Sequence, residues 1–245
     1  MELITRFLKE SRYCVALTGA GISTLSGIRD FRGKDGIYDE VSEKYNPDLI
    51  FDLDYFRQDP SLFYNATRDL IYNLHSKKPS IVHFELARLE SMGIVKSVIT
   101  QNIDMLHTRA GSQNVIELHG SPMVHRCMKC EKVFSYDHVC DVVQTHHVPH
   151  CDSCQGVIKP DIIFFGEMLD AEKLNKAVLE ASKADLILVL GSSLLVQPAA
   201  SLPLYTKQHG TLVIVNDMST PLDEIAEARY ADLERVFVEL MGKIR

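Results

Sequence analysis

At 245 residues, with 46% hydrophobic and 24% charged side chains, the chain has the composition of a globular protein able to hold one large α/β domain and a smaller lobe. Its net charge of −7 argues against nucleic-acid binding through the overall field and is compatible with a basic partner such as a lysine-rich peptide. No apolar run approaches the roughly 20 residues of a membrane span, so no membrane role is expected.

The N-terminal stretch MELITRFLKESRY reads as a mixed-charge amphipathic helix and not a secretion signal. Tyr13–Thr18 follows as a buried strand. Residues 34–46 are polar and aperiodic and read as a long loop, and residues 47–74 read as helices. After Pro79 a helix is predicted over Ser80–Met92. Strands are predicted at Ser97–Thr100, Val115–Leu118, Asp161–Phe165, Asp185–Leu190 and Thr211–Val215. Further helices are predicted at Ala171–Ser182, Pro198–Gln208 and Leu233–Lys243. Runs this apolar suit strands covered on both faces, as in a parallel sheet. Strands alternating with helices give an α/β doubly wound fold. Two segments break the alternation, the loop and helices before residue 75 and the stretch Pro122–Pro160. Both are expected to pack together as a small lobe.

The second break carries Cys127-Met-Lys-Cys130 and, twenty residues on, Cys151-Asp-Ser-Cys154. Two C-x-x-C pairs at this spacing suit a tetrahedral, four-thiolate structural zinc site, with a short β-excursion between the pairs. Such a site is coordinatively closed, so the zinc is not expected to take part in chemistry. The other two cysteines, Cys14 and Cys140, do not make a disulfide framework, which points to a reducing, cytoplasmic compartment. His138, His146, His147 and His150 crowd the same insert and read either as solvated loop residues or as alternative ligands.

Three constellations sit at predicted strand ends. Thr18-Gly-Ala-Gly-Ile-Ser23 follows the first strand, where glycines let a backbone approach a pyrophosphate; the same pattern also makes an ordinary tight turn. No acidic residue follows at the usual dinucleotide spacing, so a ribose would be read elsewhere, with Gly191-Ser-Ser193 and Asn216 as candidates. Thr100-Gln-Asn-Ile-Asp-Met-Leu-His107 offers Asn102 and Asp104 either as site residues or as helix caps. Glu117-Leu-His-Gly120 offers His119 either as a general base or as a turn or core residue.

Read together, GAGIS, GIRDFRG, TQNIDMLH, IELHGS, the two C-x-x-C pairs, FFGE, GSSLLVQPA and IVN resemble the sirtuin family in order and spacing, over roughly residues 11–240. The resemblance implies an NAD-dependent protein lysine deacylase of prokaryotic type. It also implies a Rossmann-type large domain (1–33, 77–120 and 161–245) and a small lobe built from a helical module (34–76) and a four-cysteine zinc module (121–160). Residues matching the family motifs then take roles. Gly19, Ala20, Gly21, Ser23 and Thr24 would lie against NAD, and Asp30, Phe31 and Arg32 would begin the cofactor loop, Phe31 covering the nicotinamide pocket. Gln101, Asn102, Ile103 and Asp104 would form the nicotinamide and ribose site. Gly191, Ser192, Ser193 and Asn216 would bind the adenosine half, with Asp232 and Leu233 near the adenine. His119 would be the base and Asn102 a second catalytic residue. The acyl-lysine would enter an apolar tunnel of Phe31, Phe51, Ile163 and Phe165. Its peptide would add as a strand between Gly166-Glu167 and Leu194-Leu195-Val196.

The implied reaction joins the acyl oxygen to C1′ of the nicotinamide ribose through an ADP-ribosyl alkylamidate, and yields lysine, nicotinamide and O-acyl-ADP-ribose. A mono-ADP-ribosyltransferase and a non-catalytic NAD- or ADP-ribose-binding module are the alternatives. Arg29 stands where the family most often has proline. Desuccinylase-type members pair a Tyr and an Arg three residues apart in the cofactor-loop region. Here Tyr38 is followed by Val41, and no Arg occurs between Lys34 and Phe56, so an uncharged acyl group is expected.

Overall fold

A computed structural model describes residues 2–29, 47–206 and 210–244. Asp30, Phe31, Arg32, Tyr38 and Val41 therefore lie outside the described residues. The strands run in chain order as β1 (Cys14–Thr18), β2 (Val95–Thr100), β3 (Val115–Glu117), β4 (Gly120–Cys127), β5 (Val133–Ser135), β6 (Ile158–Ile162), β7 (Leu186–Leu190), β8 (Thr211–Val215) and β9 (Ala228–Tyr230). The helices are α1 (Glu2–Glu10), α2 (Gly21–Thr24), α3 (Pro47–Ile50), α4 (Leu53–Gln58), α5 (Pro60–Thr67), α6 (Ile81–Ser91), α7 (Leu106–Arg109), α8 (Tyr136–Gln144), α9 (Ala171–Lys183) and α10 (Leu233–Met241). None of them is long and apolar enough to cross a membrane.

A six-stranded sheet has the order β3-β2-β1-β7-β8-β9 and is parallel throughout. Every residue of β1 and β7 is buried. Alternation explains how both faces are covered. Cys14, Ala16, Leu186, Leu188, Val213 and Val215 pack under α1, α6 and α10. Val15, Leu17, Ile187, Val189, Leu212 and Ile214 pack under α9 and the 3₁₀ segment after Pro198. From β1 the chain builds outward through β2 and β3, then returns to the other side of β1 with β7. The order thus reverses between β1 and β7, and in open α/β sheets that crevice, at the carboxyl ends of the strands, is where ligands bind.

The second sheet, β5-β4-β6, is antiparallel. Here the structure corrects the reading of Asp161–Phe165 as a strand of the main sheet. The strand is Ile158–Ile162, it pairs with β4, and it buries alternate residues, Ile158, Pro160 and Ile162. Ile163–Phe165 is apolar for a different reason. Phe164 is the hub of an aromatic cluster, with ring centroids 6.0 Å from Phe51, 5.2 Å from Phe56 and 5.0 Å from Phe63. The insert between the cysteine pairs also holds the helix α8, capped by Ser135, and not only a β-excursion. Tyr64 donates its hydroxyl proton to the Ile158 carbonyl and Tyr136 donates to that of Ile71, joining the 60–74 segment to the insert.

Two further differences are local. Residues Ala199–Tyr205 form a 3₁₀ helix, not an α-helix, and Pro203 inside it lacks the N–H that an α-helix would use. β9 is a three-residue edge strand with no apolar run, recognisable only by its pairing with β8.

Candidate active site

A cavity of about 1010 Å³ opens at the carboxyl ends of β1, β2, β7 and β8. Gly19, Ala20, Gly21 and Thr24 form one wall with Gly191, Ser192 and Ser193. The two turns meet backbone to backbone. A Cβ on Gly21 would lie 2.7 Å from the Gly191 Cα, and one on Gly191, which has a φ of +60°, would lie 2.6 Å from the Ile22 nitrogen. No flexible side chain can yield there, so Gly21→Ala should displace the turn. The expected result is a loss of at least about tenfold in kcat/KM for NAD with the thermal midpoint lowered by a few degrees. Steady-state kinetics and a melting curve check it.

The floor comes from the loop after β2. Asn102 donates both amide protons, to the Gly19 carbonyl at 2.9 Å and to Ser23 Oγ at 3.1 Å, which leaves its Oδ1 as the acceptor. Ser23 in turn donates to Asp104 Oδ2, and the Leu106 N–H donates to Asp104 Oδ1 at 2.8 Å. Asp104 thus accepts the first N–H of α7, and burial raises its pKa while these two donors oppose the rise. Ser23 and Asp104 are buried behind the wall and do not line the cavity. Gln101 donates its side-chain amide to Ser192 Oγ at 2.8 Å, tying the β2 and β7 ends together.

His119 enters the cavity after β3. Its Nδ1 lies 2.8 Å from the Gln101 carbonyl. A carbonyl only accepts, so Nδ1 carries the proton and Nε2 keeps its lone pair in the neutral ring. Burial lowers the His119 pKa, and the bond to the Gln101 carbonyl only partly opposes this. A neutral imidazole with a free lone pair, held by its other nitrogen, is equipped to accept a proton.

One lip of the cavity is apolar and open. Phe165 is 50% exposed, and Val196 is 38% exposed. Phe51, Ile163, Gly166 and Glu167 also line this end, whereas Leu194 is buried and Leu195 lies outside the lining at 60% exposure. The Phe165 backbone pairs with Phe51 and Leu53 through bonds of 2.7 and 3.1 Å. Glu167 is held by Lys159 at 2.8 Å and by the Phe164 N–H at 2.7 Å, so its charge is already compensated.

The four cysteine sulfurs of Cys127, Cys130, Cys151 and Cys154 lie within 4.8 Å of one another. Sγ of Cys127 is 3.4 Å from that of Cys154, and Cys130 is 3.6 Å from Cys151. Zinc–sulfur bonds of about 2.3 Å place tetrahedral sulfurs about 3.8 Å apart, so this donor set fits zinc. His138, His146, His147 and His150 are exposed and lie outside the cluster.

The Sir2 family model matches residues 19–198. The chain belongs to the Sir2 family. This Sir2 chain is 48% identical over 231 residues to the NAD-dependent protein deacetylase of Thermotoga maritima, a match covering 94% of the chain and 92% of that protein. It is 41% identical over 227 residues to NAD-dependent protein deacylase 1 of Archaeoglobus fulgidus, covering 92% and 90%. A solved structure of a Sir2 protein with p53 peptide and NAD+ superposes with a TM-score of 0.90 at 44% identity, covering 99% of this chain and 98% of that one. A Sir2 structure with deacetylated p53 peptide and 3′-O-acetyl ADP-ribose gives 0.93 at 45% identity, covering 100% and 98%.

Asn216, Asp232 and Leu233 line the far end of the cavity in this Sir2 chain. Asp232 also has a structural task, accepting the Arg235 N–H as the cap of α10. Sequence reasoning passed over Leu25, Met168, Leu174 and Met218, which also line the cavity. None stands at the end of an apolar strand, and Leu174 reads simply as an apolar position of α9. Only the folded chain brings them to the wall.

Proposed function

We infer that this Sir2 chain is an NAD-dependent protein lysine deacetylase. The observation that carries the reading is the cavity at the β1/β7 reversal, where a neutral His119 with its Nε2 lone pair free shares one chamber with Asn102 and the Gly19–Gly21 turn. Similar Sir2 proteins that hold NAD+, p53 peptide and acetyl-ADP-ribose support it, as does one bound to a propionylated peptide. The residues present fit NAD. The Gly19–Gly21 and Gly191–Ser193 turns, with Asn216, Asp232 and Leu233 beyond them, would hold its phosphates and adenosine. Gln101, Asn102 and Ile103 would hold the nicotinamide ribose, with Asp104 and Ser23 fixing Asn102 from behind. Asp30, Phe31 and Arg32 complete this assignment from the sequence.

NAD supplies an electrophilic ribose carbon with nicotinamide as leaving group. The protein's part is to hold the acyl-lysine against that carbon, exclude water and move protons. Phe51, Ile163 and Phe165 would form an apolar sleeve for the acyl chain, and backbone edges at Gly166-Glu167 and Leu194–Val196 would receive the peptide as an added strand. His119 Nε2 would take a proton from a ribose hydroxyl, with Nδ1 held by the Gln101 carbonyl throughout. The four-thiolate zinc has no open position and would be structural, with no part in the chemistry. A two-lobe division at residues 33, 77, 120 and 161 belongs to the same reading, as does a reducing, cytoplasmic setting, which suits cysteines that form no disulfide and of which four are grouped for zinc.

The test is product stoichiometry with NAD and an acetyl-lysine peptide. Free lysine, nicotinamide and O-acetyl-ADP-ribose should form in equal amounts. Protein-bound ADP-ribose instead would mark a transferase, and binding without turnover would mark a non-catalytic module.

Acyl choice follows from charge. Among the described residues lining the cavity there is no Lys and no Arg. A succinyl or malonyl carboxylate would lose water there, and none of these described residues offers it a cationic partner. Matched peptides should therefore give kcat/KM at least about tenfold higher for acetyl- than for succinyl-lysine, roughly 1.4 kcal/mol. A preference for succinyl-lysine would contradict this and would direct attention to Arg29.

A further inference from the structure

Two histidines outside the cavity lining lie behind the Gly19–Ser23 turn. His83, in α6, has no exposed surface, and His107, in α7, is 2% exposed. Their ring centroids are 4.7 Å apart at an interplanar angle of 55°. His107 reaches one end of the turn directly, and His83 stands behind Ser80, which reaches the other. His107 Nε2 lies 2.9 Å from the Thr18 hydroxyl. His83 Nδ1 accepts the Ser80 backbone N–H at 3.1 Å, and the Ser80 hydroxyl, with one proton to give, lies 2.8 Å from His83 Nδ1 and 3.1 Å from the Ile22 carbonyl, to which it donates. Thr18 and Ile22 bracket Gly19, Ala20 and Gly21, the three turn residues that line the cavity between them.

Packing alone does not account for two imidazoles here. Among the described residues His83 Nε2 and His107 Nδ1 have no partner, and buried polar atoms without partners are costly compared with apolar side chains of similar size. Helix capping accounts for one nitrogen of His83 and for neither nitrogen of His107. His83 completes a capping box with Ser80, a task usually met by Glu or Gln, and His107 caps nothing.

The geometry requires a neutral His83 ring. The Ser80 N–H points at His83 Nδ1, so that nitrogen must keep its lone pair, and the proton sits on Nε2. Among the described residues no carboxylate is bonded to either ring to stabilise a charge. Asp104 is engaged by Ser23 and Leu106, Glu85 pairs with Arg88 on α6, and Arg109 on α7 donates to the Leu74 carbonyl. Lys96 on β2 donates to the Gly93 carbonyl, and β1 carries no charged residue. Burial lowers His83 to about 4 and, with the neighbouring His83, His107 to about 3.

We propose that His83 and His107 are positioning residues, a neutral imidazole clamp that holds the Thr18 end of the turn directly through His107 and the Ile22 end through Ser80, whose backbone His83 fixes. Through the Gly19 carbonyl and Ser23 Oγ the clamp also sets the side chain of Asn102. Its effect on catalysis rests on the reading of that turn as the NAD site.

Thr18→Val and His107→Leu remove one hydrogen bond from either side, and His107→Gln offers a neutral amide near the Nε2 position. In folded, zinc-loaded protein, Thr18→Val and His107→Leu should each raise KM for NAD about five- to tenfold, with KM for the peptide unchanged. His107→Gln should recover most of that loss. Hydrogen exchange at Gly19, Gly21, Ile22 and Ser23, measured without NAD, should quicken in the first two variants and return in the third. A pH series adds a third readout. The unfolded chain binds protons at these histidines once the pH falls below about 6.5, while the folded chain does not, so wild-type stability falls from there toward pH 4. The slope should be shallower by up to about one proton in His107→Gln. Unchanged KM for NAD and unchanged exchange in Thr18→Val and His107→Leu overturn the clamp. If His107→Leu does not fold, the near-isosteric Thr18→Val decides by the same two readouts. If the wild-type protein turns over no NAD, the functional reading falls while the exchange data still decide the clamp.

Discussion

Replacing His119 with alanine is expected to lower NAD-dependent deacetylation by about 10²- to 10⁴-fold, the usual cost of losing a positioned base. Zinc content and fold should be unaffected, because His119 is half-buried at the cavity and, among the described residues, its ring makes one hydrogen bond, to the Gln101 carbonyl. That bond fixes the tautomer, so the remaining nitrogen carries the chemistry. The pH dependence carries a sign. Burial lowers the His119 pKa below its ordinary 6.5, so the free base predominates at neutral pH. Activity should fall only as the pH drops through that lowered value, and the acid limb of kcat/KM should lie below pH 6.5 and vanish in His119→Ala. Near-normal turnover by a folded, zinc-loaded His119→Ala protein would remove His119 from the mechanism.

Cys151→Ser or Cys127→Ala is expected to lower the thermal midpoint by roughly 10 °C or more and to reduce activity with it. Both residues are fully buried, and both belong to the hydrophobic cluster that includes Phe134, Tyr136, Ile158 and Phe164. Structural zinc contributes on the order of 10 kcal/mol to small zinc folds, and losing about 4 kcal/mol of it would shift the midpoint of a chain this size by roughly 10 °C. The same cluster contains Phe51, and Phe164 adjoins Phe165, so loosening the zinc lobe reaches the proposed acyl sleeve. Metal analysis, melting curves and deacetylation should change together on mutation and on chelation. Activity that survived complete removal of the metal would uncouple the lobe from zinc.

Much of this protein was legible because the signals are local. Val15–Leu17, Leu186–Leu190 and Leu212–Val215 are apolar without interruption because both sheet faces are covered, and that pattern identifies a parallel sheet before any coordinates. The C-x-x-C pairs were legible because a thiolate site needs particular residues at short spacing. The same logic misleads at Ile163–Phe165, where Phe164, buried in an aromatic cluster, and Ile163 and Phe165, lining the cavity, imitate the continuation of a strand that ends at Ile162. A core position and a cavity wall leave the same apolar imprint whatever the backbone does.

By itself the sequence determined the alternation of elements, the zinc ligands and the polar residues at strand ends, since each depends on neighbours a few positions away. The partners of those residues belong to tertiary structure alone. Nothing in the spacing of Gln101 and His119 announces that a carbonyl of one sets the tautomer of the other. Nor does Thr18 announce His107, or Ser80 announce Ile22, across 89 and 58 positions of chain. Asp104 illustrates the division best. Its residue type left site and cap equally open, and the fold gives it the first N–H of α7 together with the Ser23 hydroxyl, because a carboxylate buried there needs two donors and only the folded chain supplies the second.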